Sequence, residues 1–175
     1  MKKILIIGAN SALALPCIKI WAKKDYSLFL VGRNEEKLKN LKNDLEKKYN
    51  INIQISVKNL INKKNCDELK DEYFRENDSI DILFICYGIL GEQEKLISNN
   101  DSLVNHVFIN SISKIIIINS FISHFKKQKK GSIAVITSVA GDIGKSSNFI
   151  YGSSNATLSN YLTGLRQYLF SFNIN

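Results

Sequence analysis

At 175 residues the chain has the length of one domain with a sizeable buried core, and its 45% hydrophobic and 23% charged residues are those of an ordinary soluble globular protein. The formal charge is +8, yet 21 of the 24 basic residues are lysines. The lysine pairs at 23–24, 47–48, 63–64, 126–127 and 129–130 are scattered, so the excess reads as background composition and not as a nucleic-acid face, which leans on arginine forks.

Short β-branched runs alternate with longer charged amphipathic segments, the pattern of a parallel sheet covered by helices. Lys2-Lys3 leads into a first strand, Lys3–Ile7, whose apolar stretch is too short for a signal-peptide core. Gly8-Ala9-Asn10-Ser11-Ala12-Leu13-Ala14 then turns the chain into a helix over Ser11–Lys23. Such a turn either lets backbone amides approach a pyrophosphate at a helix N-terminus or simply joins strand to helix. A second strand, Ser27–Val31, ends in Gly32-Arg33-Asn34. The helix predicted over Glu35–Tyr49 has Asn34 as its N-cap, Glu35-Glu36 in its first turn and Lys47-Lys48 in its last. A third strand, Ile51–Val57, is followed by Asn59-Leu60 and a helix over Lys64–Glu76.

A fourth strand, Ile82–Cys86, runs into Tyr87-Gly88. The segment Leu103–Lys127 is so rich in isoleucine that a buried strand competes with a helix. Val104, Phe108, Ile112, Ile115, Ile116 and Ile122 recur largely at three and four, and the stretch exceeds strand length, so it is predicted helical. The longest greasy run, Ile115 to Ile118, lies between Lys114 and Asn119 and is too short to span a membrane. A fifth strand, Ser132–Thr137, ends in two hydroxyls, Thr137 and Ser138, and a last helix covers Phe149–Phe170. Within it Tyr151 and Asn155 are four apart and share a face. Cys17, Cys66 and Cys86 are far apart and odd in number, so no metal site or disulfide framework is expected, and a reduced, cytoplasmic setting is. With one proline, no repeats and no linker, residues 1–175 are expected to form a single domain. Its fold class is α/β: a three-layer Rossmann-type doubly wound parallel sheet of about five strands in the order 3-2-1-4-5.

Ser138 followed thirteen positions later by Tyr151, together with the Gly8–Ala14 turn after the first strand, resembles the short-chain dehydrogenase/reductase family. The resemblance implies NAD(P)-dependent oxidoreduction of a carbonyl or alcohol group on a small-molecule substrate. It assigns the substrate carbonyl to Ser138, the proton shuttle to Tyr151 and a relay water to Asn110. It places the pyrophosphate at Gly8, Asn10, Ser11, Ala12 and Leu13, the adenine edge at Asn59 and Leu60, and the adenine ribose at Tyr87 and Gly88. Tyr151 and position 155 flank the nicotinamide ribose. Arg33 stands where a 2′-phosphate would sit and a carboxylate would repel it, favouring NADP with NAD still possible; the alternative for Arg33 is a solvated charge at a helix start. The stretch from Ser138 to Gly152 looks like the subgroup containing the reductase of the polyprenylphosphoryl-ribose epimerase pair, which acts on a keto-sugar. The chain departs from that subgroup at Ile143 and Ser146 and keeps one charge at Lys145.

The family motif is Tyr-x-x-x-Lys, and here the lysine position holds Asn155. A lysine charge about 5 Å from a tyrosine, at an effective dielectric near 20, is worth about 3 kcal/mol, enough to bring a phenol from near 10 to near 8. Asparagine supplies no charge, and a rate loss of about 10²-fold is the expected cost. Lys130 and Lys145 are the cations named from the sequence as substitutes. The family continues into two further strands with a Pro-Gly turn and a substrate loop, and Phe172-Asn173-Ile174-Asn175 falls where the first of these should begin. These departures leave two rivals to a working oxidoreductase: a catalytically impaired nucleotide-binding pseudoenzyme and a truncated gene product. The family's dimer helices correspond to the 103–127 and 149–170 helices, so a homo-oligomer through them is expected.

Overall fold

The computed structural model describes residues 1–60 and 62–175. Five parallel strands, β1 (Lys3–Ile7), β2 (Ser27–Gly32), β3 (Ile53–Val57), β4 (Ile82–Ile85) and β5 (Ser132–Val135), form one sheet in the order β3-β2-β1-β4-β5. The central strand shows why: Ile4, Leu5, Ile6 and Ile7 are all buried, because helices cover both faces of the sheet and leave no side for alternation. On one face Ile4, Ile6, Leu28, Leu30 and Phe84 pack against α1 (Ala14–Lys23) and α2 (Glu35–Tyr49) through Ile18, Leu38 and Leu45. On the other, Leu5, Ile7, Phe29, Leu83 and Ile85 meet α3 (Lys63–Glu76), α6 (Ser113–Gln128) and α7 (Phe149–Leu169) through Tyr73, Phe121, Phe125 and Leu165. Two short helices, α4 (Gln93–Ser98) and α5 (Asn100–Val107), lie between β4 and α6.

Ile7 pairs with Val31 on one side and Ile85 on the other, so the carboxyl ends of β1, β2 and β4 come level. The connections leave β1 toward β2 and later return to its other side, which opens a crevice at the carboxyl edge where the winding reverses.

The sequence-predicted elements are present with altered ends. α1 starts at Ala14 and not at Ser11, because the Ser11 N–H turns back onto the Gly8 carbonyl and Gly8–Leu13 is spent on the turn. β3 starts two residues late at Ile53, while β4 stops at Ile85 and β5 at Val135. α4 was not anticipated. The helix expected over Leu103–Lys127 starts at Asn100, capped by the Asn99 side chain, and is interrupted by a π turn, Phe108–Ile112. The 29-residue stretch Asn100–Gln128 is long and apolar enough to cross a membrane. Its Ile117, Ile118, Phe121 and Phe125 are fully buried in the sheet's core, as in the core helix of a globular fold. At the outer edge of β5, Ile174 forms a parallel bridge with Gly131, and the Ile133 N–H donates to the Asn175 carbonyl.

Candidate active site

The crevice is a cleft of about 830 Å³ across the ends of β1, β2, β4 and β5. At its floor Gly8 has φ +90°, and a Cβ there would lie 2.5 Å from the Cys86 carbonyl oxygen, so only glycine lets the turn pass this close to β4. Asn10, Ser11 and Leu13 of the same turn line the cleft, whereas Ala12 is exposed and does not. Ser11 Oγ accepts from the Leu13 N–H at 3.3 Å and from Cys86 Sγ at 3.7 Å. Asn10 Oδ1 is buried against Gly32 with no hydrogen-bond partner among the described residues, an acceptor a ligand hydroxyl would satisfy.

At one end the cleft gathers Arg33, Asn59 and Leu60, joined by Lys37 and Lys58. Asn34 Oδ1 accepts from the Lys37 N–H at 2.8 Å and caps α2, which directs that helix's N-terminus at the cleft's rim. Lys58 is engaged by Glu72 at 2.9 Å and Glu68 at 3.7 Å. Among the described residues no acidic side chain lines the cleft, and no group of His, Cys, Asp or Glu is placed to hold a metal. The turn cradle, the orphaned acceptor and the cationic rim fit a dinucleotide phosphate.

At the other end Tyr87, Gly88, Asn110, Tyr151 and Asn155 come together. Asn110, held in the π turn, is 1% exposed and clamps the loop after β4. Its Oδ1 accepts from the Ile89 N–H and its Nδ2 donates to the Ile89 carbonyl, each at 2.9 Å. The second Nδ2 hydrogen goes to His106 Nε2 at 3.0 Å, which places the imidazole proton on Nδ1, a buried atom without a partner among the described residues. Burial lowers the pKa of His106 from the ordinary histidine value. The ring lies edge-on to Tyr151, centroids 6.1 Å apart. Tyr87 donates or accepts with Ser113 Oγ at 2.7 Å, and burial raises its phenol well above the ordinary value.

Asn155 is 2% exposed, and its Nδ2 donates to the Tyr151 carbonyl at 3.0 Å, binding the amide to its own helix. Ser138 lies outside the cleft's lining, half-buried, where its Oγ accepts from the Ala140 N–H at 3.2 Å and caps a 3-10 turn, Val139–Gly141. The hydroxyl proton remains available for donation. Thr137 lines the cleft beside it.

The cations named from the sequence are elsewhere: Lys130 and Lys145 are exposed and neither lines the cleft. Lys114 does, buried beneath Gly88, and it was missed together with His106. Both stand four residues from Asn110, one before and one after, so helical spacing from that asparagine was the available signal. Lys114 was instead read as the polar boundary of an isoleucine run.

A parallel sheet in this order, with a glycine cradle and a polar crevice at the switch point, defines a Rossmann-type nucleotide-binding domain. The profile of the family described as short chain dehydrogenase matches residues 2–175, and the chain belongs to that family. It is 29% identical over 157 residues to the 3-oxoacyl-acyl-carrier-protein reductase FabG of Rickettsia prowazekii, covering 90% of this chain and 62% of that relative. The chain thus spans less than two thirds of the relative's length. Among solved structures, the bulky-bulky ketone specific alcohol dehydrogenase of Comamonas testosteroni superposes with a TM-score of 0.92 at 25% identity, covering 99% of this chain and 70% of that one. A short-chain dehydrogenase from Sphingobium yanoikuyae in complex with NADPH gives 0.92 at 21% identity, covering 99% and 68%, and shares the fold.

Proposed function

We propose that the chain binds NADP(H) in preference to NAD(H) and serves oxidoreduction between a carbonyl and an alcohol. The observation that carries this is the cleft itself: a glycine cradle and an orphaned Asn10 acceptor at one end, Arg33 and Lys37 at the rim, and no acidic lining among the described residues. A 2′-phosphate dianion is attracted by that rim, where a carboxylate would repel it. When bound, the dinucleotide supplies or takes up the hydride. The chain's own part is protonic: the Tyr151 phenol exchanges a proton with the substrate oxygen, and the Ser138 hydroxyl donates a hydrogen bond to it.

The substrate side carries apolar groups: Leu90 and Ile136 line the cleft and are exposed, and Val139 and Ile143 are exposed in the segment after β5. These groups support a substrate with a greasy portion, a description met by a keto-sugar on a lipid carrier and by a 3-oxoacyl chain of the kind named in the FabG relative. The neutral Asn155 supports a second reading, in which the cleft binds nucleotide without turnover. A cytoplasmic setting, with Cys17, Cys66 and Cys86 all free, and self-association through the long helices belong to the same proposal.

The test is a pair of fluorescence titrations, NADPH and NADH, on the wild type and on Arg33→Ala, followed by turnover assays with a keto-sugar and a 3-oxoacyl thioester. NADPH is expected to bind about tenfold more tightly than NADH or better, with most of that margin lost in Arg33→Ala. Tyr151→Phe is expected to lower turnover about 10²-fold with little change in nucleotide affinity. Equal affinities for the two nucleotides overturn the NADP preference, and absence of binding overturns the reading as a whole. Binding without turnover on either substrate selects the second reading.

A further inference from the structure

We propose that Lys114 is the cation at the Tyr87–Gly88 end of this cleft and takes up, from α6, a part that the family's lysine plays from position 155: it donates to the bound dinucleotide. The inference rests on the dinucleotide reading above and concerns a residue that lies outside the Tyr-x-x-x-Lys motif.

Geometry carries it. Lys114 is 2% exposed, yet its ammonium opens onto the same cleft as Tyr151 and Asn155. The Nζ atom is 5.4 Å from the centroid of the Tyr87 ring and would be 3.8 Å from a Cβ placed on Gly88. It makes no hydrogen bond or ion pair with any described residue. The ionisable groups that face it are Cys86 and Tyr87 at the end of β4; Tyr151 on α7 lines the same cleft, and among the described residues no carboxylate does.

An ammonium has three donors, and burying it without acceptors costs free energy that a methionine of similar length would not. The face of the Tyr87 ring returns only part of that cost. Ribose hydroxyls or phosphate oxygens arriving over Gly88 would supply acceptors to this ammonium. Burial also brings the Lys114 pKa down to about 8, which leaves most molecules charged at neutral pH and makes that charge sensitive to a small rise above it. Position 155 meanwhile carries no charge, and its amide is tied to the Tyr151 carbonyl.

The experiment measures NADPH and NADH dissociation constants by fluorescence from about pH 6.5 to 9.5 for the wild type, Lys114→Met, and the double variant Lys114→Met/Asn155→Lys. For the wild type, affinity for both nucleotides should weaken as pH rises beyond about 8, since the neutral amine loses its charge. Lys114→Met should bind about tenfold more weakly at neutral pH or worse, with that pH dependence gone, and the double variant should recover most of the loss. Far-UV circular dichroism and melting confirm the fold, and Lys114→Met should melt at or above the wild type. Wild-type affinity and pH profile in Lys114→Met would overturn the proposal, as would a double variant that recovers nothing. Failure of the wild type to bind either nucleotide overturns the dinucleotide reading, and this proposal with it.

Discussion

A lysine held inside a protein gives up its proton more readily than one in water, because burial disfavours the charged form. For Lys114 the drop is from 10.5 to about 8, with Cys86 pulling weakly the other way. The consequence for stability has a definite sign. Below about pH 8 both folded and unfolded chains carry the proton, and the folded state bears the whole cost of the buried charge. Between about 8 and 10.5 the unfolded chain binds more protons than the folded one, so this residue's contribution to stability rises with pH. The full cost is roughly 3 kcal/mol, of which about 2 kcal/mol should be relieved by pH 9.5. Urea unfolding of the ligand-free wild type and of Lys114→Met at several pH values reads it directly. The variant should be the more stable at pH 7, with the gap closing toward pH 9.5, and a gap independent of pH would place the ammonium in water and not in the core. His106 titrates in another range: a buried histidine with a lowered pKa costs stability only as pH falls below the ordinary histidine value, so it does not confuse the alkaline comparison.

The break between α5 and α6 is what brings these residues together. A π turn adds a residue to the helical register, so Asn110 faces the loop after β4 while Ile117 and Phe121, about two and three turns later, still face the sheet. Asn110 closes a pair of hydrogen bonds on Ile89 that an alanine would leave open at both ends. Asn110→Ala should therefore cost about 1–3 kcal/mol in urea unfolding, the loop being half-buried. It should also weaken nucleotide binding, because Gly88 lies next to the freed segment. Unchanged stability would mean that water replaces the asparagine without loss. Helices and strands were legible in the sequence because their signals are periodic: β-branched runs such as Ile4–Ile7, and the three-and-four spacing from Val104 to Ile122. The π turn was not, since it changes which carbonyl each amide meets and leaves the hydrophobic spacing nearly intact. Asn110, Tyr151 and Asn155 were found by motif and spacing, whereas Lys114, a charge amid isoleucines, was read as the boundary of their run, and its four-residue spacing from Asn110 was the one sign that the fold turns it inward to the cleft.

At the scale of the molecule, the sheet's order followed from alternation, handedness and the family resemblance, but the surface the fold presents did not. α6 and α7 are fastened side by side: Tyr161 donates to Asn119 at 2.9 Å, and the Lys126 ammonium lies over Tyr168 and Phe172 at 4.9 and 4.4 Å from their centroids. Along this pair and the α5 turn that precedes it, Val104, Ile112, Phe149 and Tyr168 remain exposed. Large apolar side chains left in water along joined helices favour association, and the simplest closed assembly of one chain is a two-fold dimer in which the same face meets itself. Charges placed at Val104 and Ile112 should oppose that contact without touching the buried core, since neither side chain belongs to it. Sedimentation velocity at about 50 μM should show the wild type heavier than one chain and Val104→Lys/Ile112→Glu shifted to the monomer, with nucleotide affinity preserved. A wild type that sediments as a monomer at that concentration would show that these apolar side chains are tolerated in water, and the expected helix-to-helix assembly would fall.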